Sequence, residues 1–134
     1  MRGRLFFNRL TSVSGFTLLE LMVVISIIGI LITIAGPSYN LSVRKAKEAV
    51  LKNDLFIMRD LIDQYYADNA EYPSSLYDLV EKGYLRQIPV DPITKSSDTW
   101  VEVYIEEEDE TMGVFDIHSG SDLVGTNDVP YNEW

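Results

Sequence analysis

Hydrophobic positions along this chain change their spacing several times. From Phe16 to Ala35 they form a nearly continuous run of 20 residues, broken by Thr17, Glu20, Ser26 and Thr33. A helix of that length rises about 30 Å, the thickness of a hydrocarbon core, so the run predicts a membrane-spanning helix. From Ser38 to about Asn69 the spacing becomes helical and one-sided. Val43, Ala46, Val50, Ile57, Leu61 and Tyr65 recur, with Leu51, Leu55, Met58, Ile62 and Tyr66 alongside, and no glycine or proline intervenes. The pattern predicts an amphipathic helix with a broad apolar stripe that continues the first. Pro37 follows Gly36 between the two. It lacks a helical donor and clashes with the preceding turn, which predicts a bend or local melting at Gly36 and Pro37.

Shorter elements follow. In Glu71 to Leu85, Ser75 is placed to cap a helix starting at Leu76, with Asp78 at its third position. Gly83 supplies a left-handed stop, after which Leu85 can fold back on the helix. Pro89 and Pro92 then force extended chain and turns. Trp100 to Ile105 and Val114 to Ile117 read as a hairpin, with the five acids Glu106 to Glu110 on the bend between them. Five like charges favour a solvated tip, although a metal or a basic partner is an alternative use.

Charge divides the chain as hydropathy does. Arg2, Arg4 and Arg9 are the only charges before Glu20. Without residues 1–15, eight basic residues face 21 acidic ones, a net of −13. A basic flank before an apolar span places the N-terminus in the cytoplasm and the acidic remainder across the membrane. Such a surface argues against nucleic-acid binding, which needs a cationic footprint. Arg44, Lys45 and Lys47 form the one basic cluster after the span. They suit lipid headgroups, acidic neighbours or a plain solvated face. Cysteine is absent, so an exported head this small needs a staple other than a disulfide.

Glu20 is the anomaly, because an acid at mid-span costs about 2.5 to 3.5 kcal/mol on insertion scales. A secretory signal has about 7 to 15 apolar residues and a small-x-small cleavage site. Here the run is longer, and Thr33-Ile34-Ala35 is followed by Gly36 and Pro37. A plain anchor fits the length but leaves Glu20 unexplained, unless the acid snorkels to the interface. Gly15-Phe16-Thr17-Leu18-Leu19-Glu20, at the head of the apolar run, closely resembles the processing motif of type IV pilins and the related pseudopilins of type II secretion. The resemblance implies cleavage between Gly15 and Phe16 by a prepilin peptidase and N-methylation of Phe16. It further implies that Glu20 meets the new amine of a neighbouring subunit during assembly. An acid poorly satisfied in the monomer and paired in the polymer favours one register.

The C-terminal stretch Asp116 to Trp134 gathers Asp116, Ser119, Asp122, Asn127 and Asp128 among glycines. It is not an EF-hand, but oxygens on bendable backbone suit a hard cation. The stretch resembles the C-terminal loop of major pseudopilins, which implies a calcium site with Asp122 and Asp128 as carboxylates and Ser119 and Asn127 as lesser contributors. Asx turns without metal are the competing account. The lone His118 reads as structural, and Trp134 as packing on the sheet or at a subunit contact. No catalytic constellation appears, so an enzyme is not expected.

The chain is thus expected to be α+β and pilin-like, with a long bent N-terminal helix packed on a small antiparallel sheet. Residues 1–15 form a removable basic leader, 16–36 the span, 37–70 the amphipathic half-helix and 71–134 a periplasmic head. The resemblance to pseudopilins implies a homopolymeric periplasmic filament for type II protein secretion, anchored by one pass in the inner membrane. Its expected partners are prepilin peptidase, an inner-membrane assembly platform, minor pseudopilins and the lipid bilayer. A type IV pilin forming a surface fibre is the alternative, and a membrane-anchored periplasmic binding domain a third.

Overall fold

The computed structural model describes residues 14–107 and 110–134. Most of the expected leader, and Glu108 and Asp109 of the expected acidic tip, therefore lie outside the described residues. The chain separates into two compact units, one through Tyr39 and one from Asn40 onward.

Helix α1 runs Leu18–Asn69, 52 residues, and passes through both units. Within the first unit every described residue is exposed, which leaves the whole apolar run for an environment other than this chain. It is long and apolar enough to cross a membrane. Two of its hydroxyl residues turn back on their own helix. Ser26 Oγ donates to the Met22 carbonyl at 2.7 Å and Thr33 Oγ1 to the Gly29 carbonyl at 2.8 Å. Both are thereby satisfied without a partner helix, as a hydrocarbon setting requires. Gly36 and Pro37 lie inside the helix, so the local melting allowed by the sequence does not occur. Pro37 withholds only the N–H that would bond the Thr33 carbonyl, one link in a long ladder.

In the second unit α1 supplies Leu51, Leu55, Met58, Ile62 and Tyr65 to the core. They meet Leu76 and Leu79 of α2 (Leu76–Glu81), Val114 and Ile117 of a strand, and Trp100 and Tyr131. The stripe is narrower than the sequence predicts. Val43, Val50, Ile57 and Tyr66 remain 37 to 49% exposed, and Tyr65 rather than Tyr66 enters the core. One small sheet can cover only one side of a helix, and Val43, Val50 and Ile57 are left outside it.

Strands β1 (Val101–Glu107) and β2 (Glu110–His118) form a two-stranded antiparallel sheet. Pairing begins at Val101 with His118 and reaches Glu107 with Glu110. Most of the expected acidic bend is therefore strand. Backbone pairing tolerates charge wherever the side chain stays in water, as the exposed Glu106 does. Gly113, at φ +104°, packs where a Cβ would lie 2.8 Å from the Tyr72 Cβ and carbonyl oxygen, and the next residue, Val114, donates its N–H to the Pro73 carbonyl at 2.8 Å. That bond ties β2 to the segment after α1.

Helix α2 begins and ends where the sequence places it, but is capped differently. Ser75 is the N-cap residue and its hydroxyl makes no cap bond. Asp78 instead accepts the Ser74 N–H at 2.8 Å and its hydroxyl at 2.5 Å, while Glu102 of β1 accepts the Leu76 N–H at 2.8 Å. Gly83, at φ +81°, ends the helix, and the Leu85 N–H returns to the Leu79 carbonyl at 3.0 Å.

Candidate functional site

Two segments carry the residues singled out above. In the first, Ser14 to Thr17 are non-helical and α1 starts at Leu18. Thr17 stops the helix from extending backward: its Oγ1 accepts the Glu20 N–H at 3.2 Å, and its carbonyl accepts the Leu21 N–H at 3.1 Å. Thr17 and Glu20 thus occupy the N-cap and third positions of a helix start, the spacing of a capping box. Sequence reading valued Glu20 as an acid and missed Thr17, although Thr-x-x-Glu ahead of an apolar run is the pattern that signals a cap. The Gly15–Phe16 peptide stands just outside the helix, with Phe16 83% exposed. Glu20 is exposed and has no ion pair among the described residues.

The second segment, Leu123 to Tyr131, is a small hairpin. Tyr131 N–H bonds the Leu123 carbonyl at 2.9 Å, Gly125 N–H the Val129 carbonyl at 2.8 Å and Asp128 N–H the Gly125 carbonyl at 3.2 Å. Asp128 adopts φ +62°, a left-handed conformation that aspartate tolerates at a tight turn. The hairpin docks on α1 through Glu48, which is 6% exposed. Glu48 Oε1 accepts the Thr126 N–H at 2.7 Å and the Tyr131 hydroxyl at 2.7 Å, and Oε2 accepts the Thr126 hydroxyl at 2.5 Å. Arg44, one turn earlier, lies 3.8 Å from the Glu48 carboxylate and donates to the Val124 carbonyl. Arg44 is therefore engaged within the head, whereas the sequence leaves it free with Lys45 and Lys47.

Of the four side chains expected around an ion, two are already engaged elsewhere and two stand in solvent. Ser119 is fully buried and donates its hydroxyl at 2.5 Å to Asp91, itself fully buried. Asp91 also accepts the Ile93 and Thr94 N–H groups, closing the turn after Val90. Asn127 Oδ1 accepts the Val129 N–H at 3.2 Å, an Asx turn. Asp122 and Asp128 are exposed. Among the described residues no group of three or more acids or histidines is gathered to hold a metal. As they stand, these oxygens do not fit a calcium site. His118 is structural, its Nδ1 2.6 Å from the Trp134 main-chain oxygen and its Nε2 3.6 Å from Asp116. Trp134 packs edge-on against Tyr131 at 5.0 Å, with the Lys52 ammonium 4.7 Å above its ring.

Comparison with known proteins bears on the first segment and on the chain as a whole. Residues 10–36 match the prokaryotic N-terminal methylation motif. The type II secretion system core protein G of Pseudomonas aeruginosa is 34% identical, over 90% of this chain and 94% of its own length. The protein of that name from Escherichia coli K12 is 33% identical over 85% of this chain and 86% of its own, and that of Klebsiella pneumoniae 36% over 58% and 67%. No solved structure gives a significant match. A capped, exposed methylation motif at the head of an apolar helix, together with near full-length similarity, makes this chain a member of the type II secretion system core protein G family.

Proposed function

We propose that this chain is the major structural subunit of a pseudopilus, a periplasmic filament of type II protein secretion. One observation carries the reading: the methylation motif heads an apolar helix in a chain similar to core protein G over nearly its whole length. The work is mechanical rather than catalytic. Prepilin peptidase cuts between Gly15 and Phe16 and methylates Phe16, and the retained span holds the subunit in the inner membrane. The N-terminus faces the cytoplasm and the acidic head the periplasm. The new amine then meets Glu20 of a neighbouring copy, which removes the cost of an acid at membrane depth. Val43, Val50 and Ile57, seven residues apart and exposed on α1, supply an apolar seam through which copies can pack beyond the span. An assembly platform and minor pseudopilins complete the machine.

Mass spectrometry of the chain purified from membranes tests this directly. The expected product begins at N-methylated Phe16 and has 134 − 15 = 119 residues. An intact Met1, or a cut after Ala35, overturns it. Deleting the gene is expected to trap secreted enzymes in the periplasm; loss of surface fibres with normal secretion makes the protein a type IV pilin instead.

A further inference from the structure

We propose that the Glu48 carboxylate of α1, rather than a calcium ion, staples the C-terminal hairpin of this chain to its head. A calcium loop turns carbonyl and carboxylate oxygens inward on a cation. This hairpin does the reverse at its tip, where Thr126 directs its N–H and hydroxyl to an anion at 2.7 and 2.5 Å and Tyr131 adds a second hydroxyl at 2.7 Å. Three donors on one 6% exposed carboxylate make a closed site.

Main-chain carbonyls of the hairpin are also engaged. Those of Leu123, Gly125 and Val129 accept the N–H groups of Tyr131, Asp128 and Gly125. Val129 accepts the Trp134 indole as well, at 3.2 Å. The Val124 carbonyl takes the Arg44 guanidinium, a fixed positive charge on the hairpin that repels a second cation. Gly125 is shaped to this packing, since a Cβ there would lie 2.6 Å from the Trp134 ring and 2.7 Å from Asn127 Oδ1. Backbone, arginine and glutamate thus close the hairpin by themselves. The staple that a cysteine-free head of this size requires is internal.

The test is hydrogen exchange on the full-length chain in detergent micelles, read at residues 123–131, with excess calcium or with a chelator. Equal protection in the two buffers is expected. Glu48→Ala strips the Thr126 N–H of its acceptor and is expected to speed exchange across the hairpin about tenfold or more, with no rescue by calcium. Because that variant can fail to fold, Thr126→Val, which deletes one of the three bonds and keeps the shape, is measured beside it with a smaller increase expected. Asp122→Asn with Asp128→Asn is expected to leave protection unchanged. Calcium-dependent protection of the parent chain that the double aspartate variant abolishes overturns the proposal. So does parent-level protection in both Glu48→Ala and Thr126→Val.

Discussion

Arg59 of α1 and Asp116 of β2, 57 residues apart, form a hydrogen-bonded ion pair of 2.6 Å. The same guanidinium donates to the Ile117 carbonyl at 2.8 Å and to the Trp134 main-chain oxygen at 2.7 Å. One side chain thus ties the helix to the sheet and to the last turn. Arg59→Met keeps the stem and removes all three bonds, and is expected to cost about 2 kcal/mol. Chemical denaturation of the full chain in detergent measures it.

Glu20→Ala is expected to insert and to be processed like the parent but to form no filaments. The comparison is made by fractionation and electron microscopy of cells expressing each. Filaments at the parent level would remove the assembly role from Glu20. Thr17→Ala, which loses the cap, is expected to weaken the first turn of α1 by about 1 kcal/mol, and Thr17→Ser to restore it.

Acid is expected to loosen the C-terminal hairpin before the rest of the head. Burial raises the Glu48 pKa, but the bonds from Thr126 and Tyr131 outweigh it and hold the carboxyl below its ordinary value of 4.5. A carboxyl depressed on folding contributes stability above its unfolded value and loses it as pH falls through the folded one. Protection of residues 123–131 should therefore be flat from neutrality to about pH 5 and fall below that. In Glu48→Gln this acid step should disappear.

Asp54 carries the opposite sign. Burial, reinforced by the charge of Asp91, raises its pKa. A carboxyl raised on folding destabilises at neutral pH and does so less as pH falls through its folded value. Asp54→Asn is accordingly expected to raise the melting temperature at pH 7 and to make no difference in acid.

Gly120 follows β2 where a Cβ would come within 1.9 Å of the Thr99 carbonyl oxygen. The obstacle is main chain, which cannot rotate away. Gly120→Ala is expected to lower stability by about 1 to 3 kcal/mol in thermal unfolding.

The elements with strong local periodicity were legible in the sequence. The apolar run, the helix stop at Gly83 and the two strands each follow from spacing within a few residues. What could not be read was the choice among local partners that tertiary contact decides. Ser75 sits where a cap belongs, but Glu102, 26 residues away, takes the Leu76 N–H. Two apolar series run along α1, and only the sheet's position selects Leu51, Leu55, Met58 and Ile62 over Val43, Val50 and Ile57. In the C-terminal stretch from Asp116 onward the oxygens of Ser119 and Asn127 looked available because Asp91 and the Val129 N–H were not yet beside them. Glu48 gave no local signal, since one acid among Arg44, Lys45, Lys47 and Lys52 resembles an ordinary solvated turn.

Ser26 and Thr33 close their hydroxyls onto their own helix, which leaves the span smooth along its length. Along that surface Glu20 is the one charged residue, so whatever approaches the span meets a single polar landmark and otherwise bare hydrocarbon.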